Sequence, residues 1–255
     1  MRYLFLMYGA ESSWSDAERR ACVLETLSTC DDLAAQGKLI ATAPLHPVAT
    51  AATVRVRGGR PLVTDGPFAE TTEQLGGYFL MDLADLDEAI AVAARLPPVA
   101  KGAAEIRPVR AVDGLPPERI APFAVPGSGG APFMLLCYDD EGAWDRAGDA
   151  ARRDALSAAV GLCHRLSAEG RYAAAAPLHP AATATCVRVR NGVRHVTDGP
   201  FAETHEVLGG FYVVRAESQA AALAIAAEHP GAARGSVEVR GLVDLSGLRN
   251  SEPAA

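Results

Sequence analysis

Val63-Thr64-Asp65-Gly66-Pro67-Phe68-Ala69-Glu70-Thr71 occurs a second time as Val196-Thr197-Asp198-Gly199-Pro200-Phe201-Ala202-Glu203-Thr204. Working outward from it, residues 44–79 align with 177–212 without a gap at a shift of 133, and 25 of the 36 pairs are identical. Pro-Leu-His-Pro recurs at 44 and 177, Val-Arg-Val-Arg at 54 and 187, Leu-Gly-Gly at 75 and 208. Glu105-Ile106-Arg107 answers Glu238-Val239-Arg240. Tyr8 and Trp14 answer Tyr138 and Trp144, with a short insertion after Trp144. A long repeat present twice is a fused pair of domains, because solenoid repeats are shorter and more numerous. The expected units are 1–110 and 132–245. The Pro- and Gly-rich stretch 111–131 reads as a linker and 246–255 as a tail.

Each copy carries the signals of an α+β unit. Tyr3 to Tyr8 reads as a buried strand. Ser15-Asp16-Ala17-Glu18 is a capping box, and Val23, Leu27, Cys30 and Ala34 follow at the spacing of one apolar helical face. Leu156, Val160 and Cys163 mark that face in the second copy. Gly37 and Gly170 suit the helix stops. Thr53–Arg57 alternates apolar and charged residues, turns at Gly58-Gly59 and returns over Pro61–Thr64. The second copy turns at Asn191-Gly192, a pair that tolerates positive φ. Gly77–Leu83 is a strand. Asp85 with Glu88 caps a second helix that Pro97 ends, and Glu105–Val109 closes the unit. The order strand, helix, strands, helix, strand predicts a ferredoxin-like α+β fold with two helices on one sheet face. The face left bare needs a second sheet, which the other copy supplies.

Composition removes several classes of function. Of 255 residues, 49% are apolar and 22% charged, which excludes a disordered chain. No apolar run approaches the roughly 18 residues of a membrane span, and the apolar start lacks a signal peptide's cleavage pattern. The net charge of −7 and the scattered arginines argue against nucleic acid as a direct partner. Five cysteines without a Cys-x-x-Cys pair indicate neither a disulfide framework nor a zinc site. They fit small hydrophobes in a reducing cytoplasm. No metal or cofactor is expected. Gly76-Gly77 and Gly209-Gly210 lack the continuation of a phosphate loop and fit close backbone approach at a strand start.

Asp65-Gly66-Pro67-Phe68-Ala69-Glu70-Thr71 followed by Leu75-Gly76-Gly77, and its second copy, resemble the signature of the YCII-related proteins of the DGPF type. The flanking Ala51-Ala52-Thr53-Val54-Arg55 and Glu105-Ile106-Arg107-Pro108-Val109 agree. The resemblance covers both copies. It implies a ferredoxin-like fold that pairs as a dimeric α/β barrel, so a tandem chain would be an intramolecular pseudo-dimer. Members are often encoded beside extracytoplasmic-function sigma factors, which implies a possible regulatory partner. The wider group includes a dehydrochlorinase for which a His–Asp pair is the proposed active site. One departure is plain. The family's Glu-Thr-Lys-Glu has its lysine replaced here by Thr72 and by His205.

Several residues are candidates for chemistry. Asp65 and Asp198 either cap a turn through a backbone N–H or orient a histidine. His46 and His179, between Leu and Pro in both copies, titrate near cellular pH and would form a metal-free general-base dyad beside those aspartates. Their other reading is a half-exposed strand-end histidine. Arg55, Arg57, Arg188 and Arg190 share a strand face, as a solvated hairpin surface or a carboxylate clamp. Glu70 and Glu203 are candidate partners for them. His205 is a weaker cation at the lost lysine position. His195 should face Arg188 across the hairpin, and His164 and His229 read as surface helix residues. Tyr8, Tyr138, Trp14 and Trp144 are expected at the cavity rims. These parts suit a cofactor-independent isomerase or lyase acting on a small organic substrate. The competing reading is a small-ligand-binding or regulatory protein.

Overall fold

The computed structural model describes residues 1–69, 71–128, 130–202 and 204–245. The first copy runs β1 (Arg2–Gly9), α1 (Asp16–Ala35), β2 (Leu39–Pro44), β3 (Ala52–Arg57), β4 (Arg60–Asp65), β5 (Gln74–Asp82), α2 (Leu86–Arg95) and β6 (Ala103–Pro108). The second repeats it as β7 (Ala131–Asp139), α3 (Glu141–Ala168), β8 (Tyr172–Pro177), β9 (Thr185–Arg190), β10 (Val193–Asp198), β11 (Val207–Ala216), α4 (Gln219–Glu228) and β12 (Ser236–Gly241).

The local signals act as the sequence predicts. The Ser15 hydroxyl accepts the Glu18 N–H while the Glu18 carboxylate accepts the Ser15 N–H at 2.9 Å, satisfying two otherwise free helix-end donors. Asp85 caps α2 through the Glu88 N–H at 2.9 Å. Asn191 takes φ 53° and Gly192 φ 75°, the two positive values a tight hairpin turn demands. Added Cβ atoms on Gly77 and Gly210 would stand 3.2 and 3.0 Å from the carbonyls of Ala43 and Ala176, so the close backbone approach falls inside β5 and β11 rather than at a strand start. β2 and β8 are strands the periodicity does not announce. Both are rich in alanine, a poor strand former, and pairing with β5 and β11 overrides that preference.

Each copy contributes an antiparallel four-stranded core in the order β6-β1-β5-β2 or β12-β7-β11-β8, which is the ferredoxin-like arrangement. The hairpins do not stay at home. β3 pairs with β12 of the other copy, Val54 opposite Val237, and β9 pairs with β6, Val187 opposite Ala104. The result is two six-stranded sheets, each four strands from one copy and a hairpin from the other. Their bare faces pack together through Leu4, Leu6, Leu80, Met134, Leu136 and Val213. The helix-covered cores also cross the divide, since Val187 packs in the first and Val54 in the second. The chain is therefore a dimeric α/β barrel made within one polypeptide.

Residues 111–128 lie along the barrel. The Thr42 N–H of β2 donates to Pro122 O at 2.9 Å, and the Arg119 N–H donates to Ala173 O of β8 at 2.7 Å. The connection thus spans the two edge strands rather than hanging free.

Candidate functional site

The repeated motif leads to the centre of the barrel. Each loop after the exchanged hairpin reaches into the other copy. The Phe201 N–H donates to Glu105 Oε2 at 2.8 Å, and the Phe68 N–H donates to Glu238 Oε2 at 2.9 Å. Phe201 stacks on Tyr8 with centroids 4.2 Å apart and planes 3° off parallel, and Phe68 on Tyr138 at 4.3 Å and 12°. Arg188 covers the far side of Phe201 at 5.1 Å and Arg55 that of Phe68 at 5.9 Å, as cation–π contacts. Arg55 then pairs with Glu206 at 2.7 Å and Arg188 with Glu73 at 3.2 Å. The arrangement is an arginine–phenylalanine–tyrosine stack built twice about a pseudo-two-fold axis.

Beneath the stacks lie two fully buried ion pairs, Arg107–Glu105 at 3.3 Å and Arg240–Glu238 at 3.2 Å. Period-2 alternation along β6 and β12 puts both members of each pair on one sheet face. The second Nη of each arginine donates 2.8 Å to a backbone carbonyl of the opposite copy, Arg107 to His179 O and Arg240 to His46 O. Their Nε–H groups are buried without a partner among the described residues. Tyr8, Tyr138, Phe68, Phe201 and both ion pairs line one cavity of about 70 Å³, room for several waters or a small organic molecule. Burial, reinforced by the nearby carboxylates, pushes both tyrosine hydroxyls well above their usual pKa, so they are neutral donors. Neither phenol hydrogen-bonds to another described residue.

The sequence-derived candidates are distributed otherwise. His46 and His179 lie at the ends of β2 and β8, where their backbone N–H groups donate to Gly241 O and Pro108 O and fasten the two sheets together. The His46 ring lies over Gly241, whose added Cβ would be 2.8 Å from Cδ2. Asp65 and Asp198 end the outer strands β4 and β10 and are exposed. Among the described residues, no hydrogen bond or ion pair joins His46 or His179 to Asp65 or Asp198. Arg57 donates to the carbonyls of Ala232, Ala233 and Gly235, and Arg190 to those of Val99, Ala100 and Gly102. These two forks tie the exchanged hairpin to a turn of the other copy. His205 is largely exposed, with Nε2 3.9 Å from Asp140 Oδ2. Glu70 and Glu203 lie outside the described residues. His195 does face Arg188 across β9 and β10.

Two expectations need correction. His229 is not a surface residue, since it is half-buried edge-on to Tyr212 at 5.1 Å and burial lowers its pKa to about 4. Its place after α4 turns the ring inward over the sheet. The flanking Glu105, Arg107, Glu238 and Arg240 are central to the cavity, although the sequence marks them only as family context. Their one signal is the repeated Glu-x-Arg inside a strand. Trp14 and Trp144 sit away from this cavity, under Lys101 at 4.7 Å and Arg234 at 4.9 Å.

Fold and site together define a duplicated α+β barrel with one composite cavity on its internal axis. The YCII-related domain model matches residues 1–113 and again 131–246, and the chain belongs to that family. An uncharacterised protein of Rhizobium meliloti (strain 1021) is 40% identical over 114 residues, 43% of this chain and 92% of that protein. A solved heme-binding protein from Thermus thermophilus is 13% identical with a TM-score of 0.45, over 97% of this chain and 93% of that one. No described helix is long and apolar enough to cross a membrane.

Proposed function

We propose that this YCII-related protein binds a small carbonyl- or carboxylate-bearing organic molecule in the central cavity. One observation carries the reading. Each copy contributes to the same cavity a neutral phenol without a hydrogen-bond partner among the described residues, beside a buried guanidinium whose Nε–H is likewise unpartnered among them. Buried donors left unpaired are costly, and an oxygen-rich ligand supplies the acceptors they lack. The ion pairs neutralise each other, so recognition rests on hydrogen bonding and on the flat aromatic walls. Proton transfer by His46 with Asp65, or His179 with Asp198, is the reading this arrangement supports less. No hydrogen bond or ion pair joins either pair among the described residues, and Asp65 and Asp198 are exposed at the ends of outer strands. A regulatory role alongside a sigma factor is compatible with ligand binding and depends on it as the signal.

The test is a thermal-shift panel of small carboxylates, phenols and lactones on wild type and on the double variant Tyr8→Phe, Tyr138→Phe. A compound at about 100 times its Kd adds roughly 2.7 kcal/mol to the folded state. Wild type should be stabilised by at least one carboxylate or carbonyl compound, and the folded variant should not. A panel without effect, or a shift that survives in the variant, overturns the proposal.

A further inference from the structure

The two copies differ in concert on the helix-facing side of their sheets. In the first copy Met7, Phe79 and Leu96 are packed core residues near α1. Their aligned counterparts are Cys137, Tyr212 and His229, and Gly9 is answered by Asp139. All four counterparts line one open cleft of about 740 Å³ between α3 and the sheet. Independent drift would scatter such changes. Here three apolar core residues and a glycine are answered by four residues that carry polar atoms and border the cleft, two of them, Cys137 and Tyr212, still packed in the core.

The helix above has changed with the floor. Gly148, at φ 82° and ψ 171°, stands where the first copy has its N-cap Ser15, and it breaks α3 into two helical pieces. The piece before it, longer than the 3-10 turn Glu11–Ser13 that stands there in the first copy, forms one wall of the cleft through Glu141, Trp144 and Asp145. The apolar face of α3 is correspondingly left open, with Leu156 37% exposed. Toward its C-terminal end α3 packs on the core through Leu162, Cys163 and Leu166, while Leu156 and Val160 border the cleft.

Charge decides what fits. Asp139 lies in the cleft, its Oδ2 accepting from Trp144 Nε1 at 2.8 Å. Its other oxygen faces Gly209, where an added Cβ would stand 3.0 Å away. The charged groups around it are the carboxylates of Glu141, Glu206 and Asp140. The nearby arginines are already committed, Arg146 to Asp140, Arg152 to Asp145 and Arg55 to Glu206. Arg110 and Arg153 also line the cleft. His229, the remaining candidate cation on the floor, is neutral near pH 7 because of its burial.

We propose that this cleft is a second ligand site, for a small amine with an apolar body. The ammonium group meets the Asp139 carboxylate, and the body lies along Val160, Ala175 and the Tyr212 ring. Asp139 accepts from Trp144 but has no ion-pair partner among the described residues, and the carboxylates of Glu141, Glu206 and Asp140 stand around it, so an ammonium ion supplies the counter-charge for this half-buried carboxylate. The site is separate from the central cavity and does not depend on its reading.

The probe is 2-phenylethylamine, titrated calorimetrically into the full chain at about pH 7.5, where the amine is protonated and Asp139 ionised. Phenylacetate and 2-phenylethanol are the charge-reversed and neutral controls. The amine should bind saturably, the controls about tenfold or more weakly. Asp139→Asn keeps an acceptor for Trp144 and should weaken the amine about tenfold while leaving the neutral alcohol unchanged. Tyr8→Phe with Tyr138→Phe should leave amine binding intact, which separates this site from the central one. The triple replacement Cys137→Met, Tyr212→Phe, His229→Leu restores the first copy's residues and should abolish binding. Absence of saturable amine binding, equal binding of the alcohol, or indifference to Asp139→Asn overturns the proposal whether or not the triple variant folds.

Discussion

Glu105 Oε2 accepts the backbone N–H of Phe201 at 2.8 Å, so a strand of the first copy holds the motif loop of the second. Glu238 and Phe68 repeat the relationship in reverse at 2.9 Å. The motif loops are thus fixed by buried carboxylates of the opposite copy, and each carboxylate is held by the arginine two residues on.

Removing one carboxylate should be costly. Glu105→Ala strands Arg107, which is 1% exposed, without its counter-ion, and frees the Phe201 N–H. Breaking one side of a buried pair costs roughly 3–5 kcal/mol. Urea denaturation should show the midpoint fall accordingly with little change in slope. A loss below about 1 kcal/mol would mean that water reaches Arg107 freely.

The exchanged hairpins make the copies inseparable without unfolding. A protease site placed after Pro126 and cut in the folded protein should leave both fragments in one particle on gel filtration. The sheet faces and the β3–β12 and β6–β9 pairings remain buried. Separation of the fragments under native conditions would show that the linker, not the exchange, holds the barrel together.

Asp139 should make stability fall as pH rises. Burial, with Glu141, Glu206 and Asp140 adding to it, lifts its carboxyl from 3.8 to about 6 against the opposing Trp144 hydrogen bond. Between pH 4 and 6 the folded state therefore holds a proton the unfolded chain has released, so the loss accrues across that window and is complete above it. Asp139→Asn should raise the melting temperature above pH 6, by an amount reflecting roughly 2–3 kcal/mol, and match wild type below pH 4. Parallel melting curves for the two proteins from pH 4 to 8 would contradict this.

Two glycines should respond in opposite directions to alanine. A Cβ on Gly102 runs into the Tyr8 carbonyl, with no flexible atom to yield, so Gly102→Ala should cost about 1–3 kcal/mol or more. Gly161 lies within α3 with open space around it, and Gly161→Ala should add about 0.5–1 kcal/mol through helix propensity. Equal effects of the two substitutions on the melting temperature would refute the packing assignment.

The local elements were legible because their causes are local. Ser15 finds Glu18 three residues away, and Asn191-Gly192 dictates its own turn. β2 and β8 were not, because runs such as Ala173-Ala174-Ala175-Ala176 carry little strand preference and become strands only by pairing with β11 or its equivalent. The histidines were ambiguous for a related reason. The backbone N–H groups of His46 and His179 fasten the sheets, and a repeated Leu-His-Pro cannot say whether side chain or backbone is being kept.

The sequence by itself determined the duplication, the α+β unit and the motif that converges on the barrel axis, since identity between copies and hydrophobic period are properties of the chain. Only the tertiary structure decided which copy each hairpin joins. β6 and β12 share the Glu-x-Arg pattern and its alternation, so pairing at home and pairing across differ in geometry rather than in residue pattern. Only the structure, too, turned scattered differences such as Gly9 against Asp139 and Leu96 against His229 into one cleft. Their proximity exists in space and has no counterpart in sequence spacing.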